Sequence, residues 1–133
     1  MRRKFIAGNW KMNHGPAATG EFFSKFGAEL KEAKEVQEAV AAGTEEIAFF
    51  VPAVSLLTAV NAAKELPVIV GAENMHWEKS GAFTGETSGP MITEIGATHV
   101  LIGHSERRHR LSETDEDLKT KVHAARQCGL LAV

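Results

Sequence analysis

The chemistry-bearing residues of this chain gather in one stretch, Thr98-His99-Val100-Leu101-Ile102-Gly103-His104-Ser105-Glu106-Arg107-Arg108. It begins as a short apolar run closed by a glycine, which predicts a strand buried on both faces. An imidazole, a hydroxyl, a carboxylate and two guanidinium groups follow at once. Groups that leave the carboxyl end of a parallel strand meet the loops of its neighbours, and α/β folds do their chemistry there. His104 stands at the start of the turn or short helix that this segment makes. A helix N-terminus disfavours an imidazolium, so a histidine there tends to stay neutral and can donate an N–H. Such a donor suits a carbonyl oxygen on which negative charge develops. A structural histidine bonded to backbone is the other reading. Glu106 reads as a base, as a partner of Lys11, or as half of an ion pair with Arg107 or Arg108, and ion-pair scaffolding is the favoured role.

Asn9 and Lys11 form a second candidate pair. In extended chain, residues two apart point the same way. An amide and an ammonium leaving one strand together could hold an oxygen-rich anion, and a surface lysine beside a capping asparagine is the plainer alternative. Other chemistries fail on spacing. His104 and His109 are five apart, and no set of histidines and carboxylates has zinc spacing, so no metal is expected. The segment 103–107 lacks the final glycine of a nucleophile elbow, and 81–89 lacks the Gly-Lys-Ser/Thr ending of a phosphate loop. Cys128 is the sole cysteine, so no disulfide framework exists, and a small buried hydrophobe near a helix end accounts for it. Arg107, Arg108 and Arg110 form a local basic patch balanced by the acids at 113–117, the pattern of a solvated or ion-paired surface.

The bulk composition sets limits. With 133 residues, 44% of them hydrophobic and 24% charged, the chain is expected to form a single domain, 1–133, with a real core. A formal charge of −2 gives no reason to expect nucleic acid or an anionic membrane as partner. No apolar run is long enough for a signal peptide or a membrane span, and the lone cysteine suits a reducing cytoplasm.

The elements that must position these groups alternate. Strands are expected at 5–9, 47–51, 68–72, 99–102 and from 130 onward. One amphipathic helix carries Phe22, Phe23, Phe26, Leu30 and Ala33 from about Thr19 to Gly43. A second is capped by Ser55 and turns Leu56, Leu57 and Val60 inward. Residues 73–89 have no helical period, and a loop that long is usually functional. A short helix follows, with Pro90 in its first turn, and then a helix after Ser112 and Thr114 that turns Leu118, Val122 and Ala125 inward. Strands joined by single helices run parallel with right-handed crossovers. Without a glycine-rich turn after the first strand, a barrel is favoured over a doubly wound sheet. Ile6, Phe50, Val70 and Leu101 are then expected to face the barrel interior.

Four segments, FIAGNWKMN at 5–13, GAENMHWEKSGAFTGETS at 71–88, HVLIGHSERR at 99–108 and the pair Cys128-Gly129, together resemble the triosephosphate isomerase family along the whole chain. The resemblance implies an α/β fold, a partial (β/α)8 barrel of about the first four βα units and the start of the fifth strand. It implies interconversion of dihydroxyacetone phosphate and glyceraldehyde 3-phosphate through an enediolate, without cofactor, in glycolysis and gluconeogenesis. Asn9 and Lys11 would contact the triose phosphate, His104 would be the neutral electrophile, and Ser105 and Glu106 would support the site, Glu106 by holding Lys11. The neutral histidine paired with a glutamate base is the worked example of this enzyme in general accounts of pKa tuning. The loop around Thr84 resembles one that buttresses the partner subunit in a homodimer. The family's catalytic glutamate, lid and phosphate-binding turns have no counterpart before Val133, so the chain alone is expected to be nearly inactive, poorly stable and prone to associate. A half-barrel binding or assembly module without catalysis is the alternative.

Overall fold

The computed structural model describes residues 2–133. Its elements run β1 (Lys4–Asn9), α1 (Pro16–Glu32), α2 (Lys34–Ala41), β2 (Glu45–Val51), α3 (Ala53–Ala62), β3 (Ile69–Ala72), α4 (Gly89–Glu94), β4 (His99–Val100), α5 (Ser105–Arg110), α6 (Asp115–Gln127) and β5 (Leu131–Ala132). The strands pair in parallel in the order β1-β2-β3-β4-β5. A doubly wound sheet reverses its order at a switch point. This one advances strand by strand in one direction, as a barrel wall does.

The sheet is curled. Neighbouring strands lie about 4.8 Å apart, so three spacings would put β1 and β4 roughly 14 Å apart if the sheet were flat. The rings of Phe5 and His99, on those two strands, stack with centroids 6.3 Å apart, so both point into the concave face. Register then sorts the other residues. Phe5, Ala7 and Asn9 align with Glu46, Ala48 and Phe50, these with Ile69 and Gly71, and these with His99 and Leu131. The concave side is tight at Gly71, where a Cβ would fall 2.6 Å from the Phe50 ring and 2.8 Å from the His99 carbonyl oxygen. Phe50 and Leu101 therefore face the interior, whereas Ile6 and Val70 sit on the convex face. Alternation along a strand allows no other arrangement once Phe5 is inside. Ile6 on the outer strand β1 is 52% exposed, and Val70 is buried under the helices.

The main core lies between the sheet's convex face and the helices, with Val51, Val70, Ala72 and Val100 against Phe23, Leu56, Ile92 and Ala125. An aromatic cluster anchors β1 there. Trp10 packs on Phe22, Phe23 and Phe49 with centroids 4.9, 5.8 and 6.4 Å away.

Several helix boundaries differ from the sequence reading. The first helix begins earlier, at Pro16 in its first turn, and breaks at Ala33 into two. The Gln37 amide explains how the break is tolerated, since its Nε2 donates to the carbonyls of Leu30 and Lys31 at 2.9 and 3.0 Å, groups a helix end leaves unpaired. Ser55 is not a cap. Pro52 takes that place, and the buried Ser55 hydroxyl donates to the His14 carbonyl at 2.7 Å. Leu57 is 54% exposed beside a buried Leu56, because successive helical residues sit on different faces. On α6 the exposed Val122 yields the inward face to Lys121, buried among Leu118, Ala124 and Ala125. The β4 strand covers only two residues, both buried on their respective faces.

Lys121 is held by an ion pair to the Glu113 carboxylate, and its Nζ donates to Asn74 Oδ1 at 2.7 Å. Both charged side chains are 5% exposed. Nearby, Thr114 closes a full capping box with Asp117 at the start of α6, and the Thr114 N–H holds the Asp117 carboxyl below its ordinary range. Removing one partner of a buried pair leaves the other charge uncompensated, whereas losing an exposed cap costs less. Glu113→Ala should therefore destabilise the chain by about 3–5 kcal/mol, and Thr114→Ala by about 1 kcal/mol. Urea unfolding followed by circular dichroism measures both, and equal losses would contradict this ranking.

Candidate active site

All five strands are parallel, so their carboxyl ends share one rim, and a cavity of about 730 Å³ opens there. Asn9, Lys11, His104 and Glu106 all line it. Two of the other sequence candidates do not. Ser105 opens α5 with an exposed side chain, and Thr84 is exposed at the tip of the 73–88 loop, although the following Gly85 and Glu86 reach the cavity wall. Phe83, 42% exposed, packs on His76 with centroids 4.2 Å apart, so the loop presents an apolar shoulder beside Thr84.

Asn9 ends β1 on the concave face. Lys11 is no longer extended: its φ is +55°, left-handed backbone that a non-glycine residue adopts at a cost of order 1 kcal/mol. Shared side from extended chain is thus the wrong reason for the pairing of Asn9 with Lys11. A turn brings them together, with the Lys11 N–H donating to Asn9 Oδ1 at 3.0 Å. The Trp10 N–H donates to the Phe50 carbonyl at 2.9 Å and ties the turn to β2. With its oxygen used locally, the Asn9 side chain keeps its Nδ2 donor for a ligand.

The Lys11 ammonium reaches across the rim to Glu106 Oε1 at 2.8 Å. That contact holds the Glu106 carboxyl below its ordinary range, chiefly through the Lys11 hydrogen bond. Glu106 does not reach it by extension past His104, because α5 starts between them. His104 is the N-cap of α5, and its Nδ1 accepts the Glu106 N–H at 3.2 Å. A nitrogen that accepts carries no proton, so this bond assigns the proton to Nε2. That N–H has no hydrogen-bond partner among the described residues and is left for the cavity. Arg107 is committed to Glu113 at 3.4 Å and Arg108 to Asp115 at 2.6 Å. No group of three or more metal-ligating side chains occurs among the described residues.

Glu73, first residue after β3, also lines this cavity, and the sequence reading passed over it as the start of a loop. The signal was available: alternation from Gly71 carries Glu73 to the concave side at the strand's carboxyl end. Burial pushes its carboxyl up to about 7, with the Lys11 backbone N–H acting the other way and the Glu106 charge adding to the rise. Lys121 was likewise overlooked, although it falls at helical spacing with Leu118 and Ala125.

Chemically, the rim offers an N–H on a neutral imidazole, an amide donor and an ammonium around one opening. A family model described as triosephosphate isomerase matches residues 4–133. The chain is 48% identical over 131 residues to triosephosphate isomerase of Acetivibrio thermocellus, covering 98% of this chain and 48% of that one. It is 42% identical over 133 residues to that of Solibacter usitatus, covering 100% of this chain and 50% of the other. The crystal structure of triosephosphate isomerase from Bartonella henselae superposes with a TM-score of 0.78 at 38% identity, over 98% of this chain and 49% of that one. The chain spans about half the length of the curated relatives it matches. With one-way strand order, a curled sheet and a matching family model, the chain belongs to the triosephosphate isomerase family.

Proposed function

We propose that this chain supplies the carbonyl-polarising half of a triosephosphate isomerase site, acting on dihydroxyacetone phosphate and glyceraldehyde 3-phosphate in glycolysis and gluconeogenesis. The observation that carries the reading is the convergence of the free His104 Nε2–H, the Asn9 Nδ2 and the Lys11 ammonium on one cavity. In this reading the substrate carbonyl oxygen accepts from His104 and Asn9. A neutral donor close to the developing enediolate shares its charge without having to be deprotonated first. Lys11 balances the negative charge that the triose phosphate brings, and Glu106 keeps the ammonium on the rim. Ser105 supports the turn that sets His104 in place.

The proton abstracted from carbon needs a base. Glu106 is held by Lys11, and one Glu73 oxygen is sealed from solvent, so the reading assigns that role to a group outside residues 1–133. A second copy of the chain is proposed to pack on the loop around Thr84, where Phe83 and the adjoining surface are exposed. The setting is proposed to be the cytoplasm.

Turnover and association test this reading. Assayed alone on glyceraldehyde 3-phosphate, the 133-residue chain should turn over at least ~10²–10⁴-fold more slowly than the A. thermocellus relative, and equal rates would refute the division of labour. Joined to the remaining half of that relative, it should become active. In that chimera, His104→Gln should lower kcat by about 10²–10³-fold, the loss seen when an oxyanion donor is removed, and Lys11→Ala should act mainly by raising KM. A chimera that keeps full kcat without His104 rules the electrophile out. Sedimentation velocity checks the dimer, because Thr84→Arg should shift the chimera toward monomer if the loop is the contact.

A further inference from the structure

The turn that carries Lys11 holds two left-handed residues that are not glycine, Lys11 at φ +55° and His14 at φ +65°. Such backbone persists only where its surroundings over-determine it. Between them Met12 is 96% exposed and Asn13 is exposed as well, so packing holds little of the middle of the turn. Two of its hydrogen bonds are internal: the Lys11 N–H donates to Asn9 Oδ1 at 3.0 Å, and Asn13 Nδ2 to the Trp10 carbonyl at 2.9 Å. Among the described residues, the backbone of 10–15 bonds beyond residues 9–19 at two points. The Trp10 N–H donates to the Phe50 carbonyl at 2.9 Å, and the His14 carbonyl accepts from Ser55 Oγ at 2.7 Å.

Those two points share one support. Phe50 lies at the end of β2 and Ser55 in the first turn of α3, and both are fully buried. The Ser55 hydroxyl has no part in capping α3, whose N-cap is Pro52. A serine in a helix ordinarily satisfies its hydroxyl on nearby backbone, whereas this one reaches a carbonyl 41 positions earlier. The two ends of the turn also touch each other, since the His14 ring stands edge-on to Trp10 with centroids 4.9 Å apart. Lys11 is thus carried between one end fixed by β2 and another fixed by α3.

We propose that Ser55 is a positioning residue, whose hydroxyl latches the His14 carbonyl and so keeps the Lys11 ammonium aimed across the rim at Glu106. That ammonium meets Glu106 Oε1 at 2.8 Å, a reach set by the path of the turn. Without the hydroxyl, the His14 carbonyl has no hydrogen-bond partner among the described residues, and nothing on that side offsets the strain at φ +65°. His14 then relaxes toward ordinary backbone, and in so short a turn the rotation is passed to Lys11. Trp10 still fixes the other end, so the turn is loosened but not lost. Calling the result a control on substrate binding rests on the isomerase reading; the latch itself does not.

Three variants separate the bond from the space it fills. Ser55→Ala removes the hydroxyl, Ser55→Cys keeps nearly the same volume with a weak donor, and Ser55→Thr keeps the hydroxyl. The first readout is the titration of Glu106, followed by carbon-13 NMR of its carboxyl group in the 133-residue chain. Lys11, His104 and Arg110 all favour its charged form, the Lys11 hydrogen bond most, and Glu73 is the like-charged group across the cavity. In Ser55→Ala and Ser55→Cys the Glu106 carboxyl should titrate at higher pH than in wild type, and in Ser55→Thr it should match wild type. Where the extra methyl of threonine is too large for the buried position, cysteine against wild type decides. A merely structural serine would lower the thermal midpoint and leave the Glu106 titration unmoved, and that result overturns the proposal.

The second readout is a cycle in the chimera with the A. thermocellus half. Ser55→Ala should raise KM by about 2–10-fold, the equivalent of one neutral hydrogen bond, with kcat nearly unchanged. The increase should disappear when Lys11 is already alanine, because the two changes act through one ammonium. An equal increase in the Lys11→Ala background shows that the hydroxyl acts elsewhere and overturns the latch. The Glu106 titration needs no turnover, so an inactive chimera would remove the isomerase reading and leave that measurement to decide the latch.

Discussion

Each strand hydrogen-bonds to the strand before it in sequence, all in parallel, and the sheet curls toward the side that carries Phe5, Phe50 and His99. This one constraint dictates both where the core forms and where the site opens. Parallel strands need a crossover on the outside, so the helices pack on the convex face and the apolar core forms there. The carboxyl ends are then left together at one rim of the concave face. Asn9 and Glu106, far apart in sequence, become neighbours of the same Lys11 because β1 and β4 are brought round toward each other. Without curvature the two strands would stand three spacings apart, a gap that a lysine and a glutamate could bridge only with both side chains fully extended.

The alternation of strand and helix was legible because glycine and proline punctuate it, and β1 to β5 lie within two residues of where apolar runs predict them, apart from the shorter β4. Facing was less legible. Ile6 and Val70 read as interior residues, but the sequence near β1 offers Phe5 and Ile6 equally, and only the partner strand decides which of two adjacent apolar residues turns inward. Ser55 shows a different limit. A serine three residues after a proline looks like a cap, yet its hydroxyl is used on His14, 41 positions away, and no local pattern contains that contact. The same holds for the site. His104 could be placed at a helix start from the glycine before it. The bond between its Nδ1 and the Glu106 N–H needed the turn geometry, and Glu73 was hidden by its place at the head of a long loop.

Charge at the rim is arranged by pairing rather than by excess. Arg107, Arg108, Lys11 and Lys121 each have a carboxylate within reach. On the cavity wall the imidazole N–H of His104 and the amide of Asn9 stay uncommitted, and Arg110 is a cation there that makes no ion pair among the described residues. An opening lined in this way keeps most of its nearby positive charge paired with carboxylates. It also explains why the net charge of the chain says so little about its ligand.

The Lys11–Glu106 pair looks like the clamp of the site, but magnitudes argue otherwise. Its side chains are 53% and 43% exposed, and such pairs contribute about 0–1 kcal/mol. The left-handed backbone at Lys11 costs about as much or more, so the ion pair cannot by itself hold the turn. The holding comes from Trp10. Its N–H is fixed to β2, and each of its aromatic contacts adds about 0.5–1.5 kcal/mol beyond burial. Phe22, Phe23 and Phe49 together therefore outweigh the strain. The turn is anchored from the core side of the sheet, and the ammonium is only aimed from the rim. A site built this way can leave its aiming contacts exposed and titratable, because the backbone that carries them does not depend on them.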